Sequence, residues 1–393
     1  MGKRWLYMGV ITVITVGLFV VGFKYLAATY VAQEALQKKT LKYKESHPNL
    51  FAVAMPYSLI DTKKRSVFFA VGEKGTFLTS RDAGSTWEVS KSILPEENYS
   101  SIHFKDEKEG WITGTTGTLL HTVDGGKSWK AVDLQTNRFL TKIFFLNENK
   151  GFIIGEESSF YYAEDGGKTW QKGLAEVKDD TYGDPFIVEI FNDMAFADSE
   201  VGWIVGETGL ILKTEDGGKT WKQQKLDTPA GLNTVAVLDR QRAFVGGEQG
   251  ALFRTLDGGK TWEKKDITVF ELGNEPLKKQ IYRIRLLPFG EGGWPLNDIR
   301  AWHVYVLGDD IGVNSYDFGT AWRSISKDRA LQDHWFYDAL HEGGSLAHLI
   351  PKDKYKGTID ELRGWSPRAF LIGKNGMIFR TSDKGLLWEN IPY

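Results

Sequence analysis

The feature that most constrains this chain is a nine-residue box that returns seven times. TVDGGKSWK (122–130) recurs as AEDGGKTWQ (163–171), TEDGGKTWK (214–222) and TLDGGKTWE (255–263). Looser copies are SRDAGSTWE (80–88), SYDFGTAWR (315–323) and TSDKGLLWE (381–389). Every copy keeps Asp-x-Gly-x-x-Trp. The aspartates are Asp82, Asp124, Asp165, Asp216, Asp257, Asp317 and Asp383, and the tryptophans are Trp87, Trp129, Trp170, Trp221, Trp262, Trp322 and Trp388. Successive aspartates stand 42, 41, 51, 41, 60 and 66 residues apart, a period near 41 broken by three insertions. A period of this length marks a repeat fold, in which each unit buries its faces against its neighbours.

The sequence around each box supplies the unit. GWITGTTGTLLHT, GWIVGETGLILKT, AFVGGEQGALFRT and AFLIGKNGMIFRT precede four of the boxes. Each reads as an aromatic and β-branched strand, a Gly-centred hairpin and a second strand running into the box. Another strand lies upstream, as in KIFFLNENKG and TVAVLDRQRA, and a short one follows the Trp, as in WKAVDL. Four strands in about 40 residues, repeated radially, describe a β-propeller blade. The fold class is therefore all-β: a seven-bladed β-propeller with an N-terminal transmembrane helix and a helical stalk. Segment 51–60 can complete either the first blade or the last.

The box has a physical logic of its own. The Asp carboxylate can accept N–H bonds from the turn that follows it. The Gly two residues on can take φ > 0 without steric cost. The Ser or Thr two residues before can bond across the turn. The Trp can bury its ring between neighbours. Carboxylates in this number invite a metal or catalytic reading, but copies set one per blade around a ring would not converge. The box is read as a folding element between the third and fourth strands, with no metal and no catalytic residue.

Charge and cysteine content exclude several classes. Against 51 acidic residues stand 49 basic ones, and there are no cysteines. The balance excludes a strongly basic nucleic-acid binder. The lack of thiols excludes disulfides, thiolate metal sites and a cysteine nucleophile. Runs such as VGGEQG are repeat hairpins rather than phosphate loops, because no Lys-Ser/Thr follows. No cofactor is expected.

One segment falls outside the repeat. Residues 5–23, WLYMGVITVITVGLFVVGF, carry no charge. At helical rise they span roughly 28 Å, close to the hydrocarbon core of a bilayer. The run exceeds the ~7–15 residues of a signal-peptide core, and no small-x-small cleavage site follows Lys24. This predicts an anchor over 1–28, a helical stalk over 29–50, whose stretch 25–46 lacks Gly and Pro and which stops at His47-Pro48, and the propeller over 51–393. Lys3 and Arg4 place the N-terminus inside. Lys24, Lys38, Lys39, Lys42 and Lys44 argue the reverse, but most lie well past the membrane. The expected location is the cytoplasmic (inner) membrane, with the propeller in the periplasm or lumen.

The boxes resemble the Asp-box (BNR-type) repeat. The DGGKTW wording with GWxVGxxGxIL upstream resembles the photosystem II assembly/stability factor family of seven-bladed propellers, over about residues 50–393. The resemblance implies a membrane-associated assembly or accessory factor on the lumenal or periplasmic side. Some proteobacterial relatives are associated with efflux-type (RND) transporters, again by resemblance. The expected function is a non-catalytic, membrane-anchored scaffold that docks onto an integral membrane protein complex, with a transporter ranked ahead of a photosystem because of the anchor and the late insertions. Asp-box propellers also include sialidases and xyloglucanases, so a glycoside hydrolase acting through a carboxylate pair is the alternative. The element YRIR (282–285) falls after the fifth box, away from the sialidase position, and reads as strand alternation. Asp309, Asp310, Asp333 and Glu342 are acid/base candidates by residue type only.

The insertions are placed at about 178–193, 268–302 and 327–365. Loops held on a rigid scaffold carry function, and large aromatics favour interfaces. Trp294, Trp335, Phe336, Tyr337 and Trp365 are the partner-binding candidates, with capping of the ring as the equal alternative. Trp302 is assigned to a blade strand. WFYDALHEGG (335–344) is read as a short helix, since Trp335, Ala339 and Leu340 fall near one face. His303, His334, His341 and His348 gather late in the chain, where solvation or hydrogen bonding outweighs a zinc site. Lys213, Arg254 and Arg380, with His121, share one column before their boxes and form either a solvated face or a basic arc.

Overall fold

Each box is preceded by three strands and followed by one, and the resulting units fold as separate sheets. The computed structural model of the chain describes residues 47–56, 67–90, 94–175, 189–270, 273, 275–288, 302–309, 311–325, 336–341, 369–381, 389–391 and 393. These build seven four-stranded antiparallel sheets, each made of consecutive strands. The protein is a seven-bladed all-β propeller. Pro48–Tyr393 forms one compact unit, separate from Met1–His47. Leu50 already opens the first blade, so segment 51–54 completes that blade and not the last.

The inner strands are Leu50–Ala54, Tyr99–Phe104, Leu140–Phe145, Phe191–Phe196, Leu232–Val237, Ile281–Pro288 and Phe336–His341. Each begins with a fully buried large residue: Leu50, Tyr99, Leu140, Phe191, Leu232, Ile281 and Phe336. Every inner strand also slips register between its first and third residues, where one residue on the second strand faces two. The extra residue is a β-bulge, which bends the strand and re-aims its side chain.

Apolar cores lie between blades rather than within them. One cluster joins blades 5 and 6 through Phe244, Leu252, Ile281, Trp302 and Phe318. Another joins blades 7 and 1 through Phe68, Leu78, Trp87, Phe370 and Ile378. Burying both faces of a sheet explains why second strands such as GWITG and GWIVG have no exposed residue. The hairpin after the second strand turns on a residue in the left-handed region followed by Gly. In blade 2 these are Thr116 (φ 54°) and Gly117 (φ 73°), and a Cβ on Gly117 would lie 2.0 Å from the Thr136 carbonyl oxygen. Only glycine fits that approach.

Two readings of the insertions change. Residues 336–341 form the inner strand of blade 7, not a helix. Its alternation buries Phe336 and Asp338, and pairing with Ala369–Gly373 satisfies a backbone that a single helical turn would leave open. Ile281–Pro288 and Trp302–Gly308 are blade strands, which divides the second insertion between the connection ahead of the inner strand, 265–280, and the one after it, 289–301. The inner-to-second connections of blades 2 to 5 are short: 105–109, 146–150, 197–201 and 238–242. Those of blades 1, 6 and 7 are long: 55–67, 289–301 and 342–368. The three long connections thus leave one face of the ring on three consecutive blades.

Among the described residues, no helix is long and apolar enough to cross a membrane. The apolar run 5–23 and the predicted stalk up to residue 46 lie outside them.

Candidate functional site

The boxes sit between third and outer strands, on the face that carries the inner-to-second connections. In blade 4, Asp216 accepts hydrogen bonds from the Thr220 N–H (2.9 Å), the Thr220 hydroxyl (2.6 Å) and the Thr214 hydroxyl (2.8 Å). Asp82, Asp124 and Asp257 repeat this pattern with Thr86, Ser128 and Thr261. Asp165, where Ala163 replaces the Ser or Thr, keeps its bonds to Lys168 and Thr169, and Asp317 binds the N–H groups of Thr320 and Ala321. Hydrogen bonds from Ser128 hold the Asp124 carboxyl at about 2, and those from Thr261 hold Asp257 at about 2. Such carboxylates stay ionised and cannot act as general acids near neutral pH.

Box tryptophans pack against the preceding blade. Trp87 meets Phe370 edge-on at 6.2 Å, Trp129 meets Phe77 at 5.4 Å and Trp221 meets Phe160 at 5.9 Å. Trp322 is buried in the cluster between blades 5 and 6, while Trp262 and Trp170 pack on clusters that reach back into blades 4 and 2. Asp383 and Trp388 lie outside the described residues.

The basic column is neither a solvated face nor a free arc. Lys213 pairs with Glu215 at 2.7 Å. Arg254 pairs with Glu263 at 2.7 Å and donates to the Phe318 carbonyl of the next box. Arg380 pairs with Glu389 and donates to the Ser85 hydroxyl of blade 1. His121 contacts Glu109 at 3.2 Å and stacks on Trp111.

The inner strands carry what the sequence reading missed. At the bulged second residue, blades 2 to 5 place Ser100, Thr141, Asn192 and Asn233. Each donates to the first-residue carbonyl of the next blade, on Leu140, Phe191, Leu232 and Ile281. At the third residue, Ser101, Asp193, Thr234 and Asp338 accept the N–H of the next blade's fourth residue, on Ile143, Val235, Ile284 and Val53.

Blades 3 and 6 break the second pattern with cations, Lys142 and Arg283. Lys142 Nζ lies 3.1 Å from Asp193 Oδ1, and Arg283 Nη1 lies 3.0 Å from Asp193 Oδ2. Arg283 Nε lies 3.4 Å from Asp338 Oδ1, which Arg285 also binds. Arg283 therefore reaches past blade 5 to blade 4 and forward to blade 7, linking blades across the ring. Burial alone would raise the Asp193 pKa, but Lys142 and Arg283 bring it down to about 2. His103, in blade 2, is driven down to about 3 by burial, with Lys105 and Lys142 adding to the effect.

Of the partner-binding candidates, Phe336 is fully buried against Phe379 and offers no surface. Tyr337 is half-buried between Phe51 and Tyr282. Trp294, Trp335 and Trp365 lie outside the described residues, as do His334, His348, Asp310, Asp333 and Glu342. Among the described residues there is no group of three metal-ligating side chains. A groove of about 920 Å³ opens between blades 2 and 3, lined by Asp133, Arg138, Glu157, Tyr161, Lys168 and Trp170 among others. Arg138 and Glu157 pair across it at 2.8 Å.

Sequence comparison decides the family. The family model described as photosynthesis system II assembly factor YCF48 matches residues 49–138 and 128–265, more than half of the chain. The chain belongs to the YCF48 family. Photosystem II stability/assembly factor HCF136 of Arabidopsis thaliana is 38% identical over 73 residues, 17% of this chain and 18% of that protein. The photosystem II assembly lipoprotein YCF48 of Synechococcus sp. (strain CC9902) is 39% identical over 70 residues, 17% of this chain and 21% of that protein. The matches thus span about a fifth of these curated relatives.

Among solved structures, a YCF48 bound to D1 peptide superposes with a TM-score of 0.60 at 19% identity, covering 85% of this chain and 91% of that one. YCF48 from Cyanidioschyzon merolae gives 0.60 at 17%, covering 86% and 96%. The GH74 xyloglucanase of Xanthomonas campestris gives 0.57 at 11%, covering 86% of this chain and 52% of the enzyme. At these identities the likeness shows the propeller alone. The expected preference for a transporter finds no support in these relatives.

Proposed function

We propose that this YCF48-family chain is a non-catalytic assembly factor that docks a segment of an integral membrane protein while a larger complex is built. The family match over residues 49–265 carries the reading. The relatives it brings with it are photosystem II assembly factors, one of them solved with a D1 peptide. The arrangement of charges supports it. The described box carboxylates are committed to their turns, and Asp193 and Asp338 to cations of other blades. A glycosidase needs one carboxyl held protonated opposite an ionised partner. Asp193 is instead pulled low. Residues 5–23 provide the membrane anchor in this reading, which raises the effective concentration of the ring beside its client.

The test is affinity purification of the full-length chain from mildly solubilised membranes. Co-recovery of an integral membrane protein is expected. Recovery of the chain alone across several detergents would contradict the reading.

A further inference from the structure

The stitching between blades changes character at one place. Blades 2 to 5 fill the bulged second position with Ser100, Thr141, Asn192 and Asn233, whose polar groups are committed to the next blade. Blades 6, 7 and 1 place Tyr282, Tyr337 and Phe51 there instead. Tyr337 sits in the middle, with ring centroids 4.9 Å from Tyr282 and 5.3 Å from Phe51. All three rings are half-buried, so part of each remains open.

An acid stands beside them that also breaks its pattern. The residue after the second-strand glycine is Glu73 in blade 1, Glu156 in blade 3, Glu207 in blade 4 and Glu248 in blade 5. Glu73, Glu156 and Glu248 fold back onto the N–H groups of Asn49, Phe139 and Gly231 at 3.0–3.1 Å, and Glu207 takes Asn192 at 2.9 Å. Blade 6 has Asp309, one methylene shorter. Its own N–H reaches the Gln280 carbonyl as its counterparts do theirs. The Tyr282 hydroxyl bonds to its carboxylate. Burial, then the Asp309 and Glu73 charges, push Tyr337 up to about 12. Asp309 Oδ1 is buried and has no hydrogen-bond donor among the described residues.

A buried carboxylate oxygen without a donor is costly and rare in a finished core. Aromatic faces attract cations through their quadrupole, and a carboxylate supplies the charge-assisted hydrogen bond. We propose that Phe51, Tyr282, Tyr337 and Asp309 form a subsite for one cationic side chain, lysine or arginine, of a polypeptide laid across the hairpin face of the ring. The subsite deepens the docking function proposed above and rests on it.

The probe is a fluorescein-labelled Gly-Ser-Arg-Gly-Ser peptide, with its lysine and citrulline counterparts, titrated by anisotropy against the full chain in detergent. The arginine and lysine peptides are expected to bind at least about fivefold more tightly than the neutral one. Asp309→Asn and Tyr337→Ala should erase that difference. Thr141→Ala, in blade 3 on the far side of the ring, should keep it. Near-UV circular dichroism of the tyrosines in the unmodified chain gives a second readout that needs no variant, and it should change with the arginine peptide and not with citrulline. Equal binding of charged and neutral peptides, or an undiminished preference in Asp309→Asn, would overturn the subsite. Loss of the subsite alongside continued co-purification of a membrane protein would leave the docking function standing. Failure of co-purification with the cation preference intact would do the reverse.

Discussion

The Val53 N–H donates to Asp338 Oδ2 at 3.2 Å, joining residues 285 positions apart in the sequence. This bond closes the ring by the same rule that joins blade 2 to 3, 4 to 5 and 5 to 6. No strand is exchanged between the first and last blades. The closure rests on side chains: Asp338 on Val53, Asn49 Oδ1 accepting the Asn375 N–H, Arg380 on Ser85, and Phe370 between Phe68 and Trp87.

Asp338→Ala should therefore destabilise the ring by about 3–5 kcal/mol, because it leaves the Val53 N–H and the Arg283 and Arg285 cations short of a buried partner. Chemical denaturation reads this directly. A loss below about 1 kcal/mol would mean that the seam is carried by the aromatic contacts alone.

Acid should loosen the same cluster. The Asp193 carboxyl stands at about 2 in the fold against 3.8 as its ordinary value. Because the folded value is the lower one, its contribution is complete above about pH 5 and is lost as pH falls through about 2. The expected loss is on the order of 2 kcal/mol. Unfolding free energies at pH 6, 4 and 3 should fall along this slope, and more gently in Asp193→Asn.

Box carboxylates should matter for folding and not for binding. Asp216→Ala removes the acceptor for Thr220 and Thr214 and should cost about 1–3 kcal/mol by denaturation. Co-purification of the client should survive at temperatures where the variant remains folded.

Gly117→Ala should cost about 2 kcal/mol or more, since the left-handed conformation is unfavourable for alanine and its Cβ would meet the Thr136 carbonyl. Thermal melts of the variant and the parent chain check it.

How far these features could be read from the sequence depends on where repetition holds. The boxes, the hairpins and the four-strand unit repeat because each blade solves the same turn and packing problem, so Asp216 and Trp221 announce their counterparts. Inner strands repeat only in shape. A bulge accepts Ser, Thr, Asn, Tyr or Phe, and the next position accepts Ala, Ser, Thr, Asp, Lys or Arg, so Lys142, Asp193, Arg283 and Asp338 share no wording. Their pairing depends on ring closure, which brings positions 90 residues apart into contact. Residues 336–341 illustrate the ambiguity. Trp335, Ala339 and Leu340 fit a helical face, while Phe336 and Asp338 fit strand alternation, and the seventh blade's need for an inner strand decides between them.

The most direct test of the assembly-factor account is in-cell photo-crosslinking of the full-length chain, with the photoreactive residue placed at exposed Leu174 or Phe270 in turn, followed by denaturing purification. The account predicts that at least one position captures a single integral membrane protein as the dominant adduct. Capture of soluble proteins only, or of a carbohydrate that the chain then hydrolyses, would contradict it.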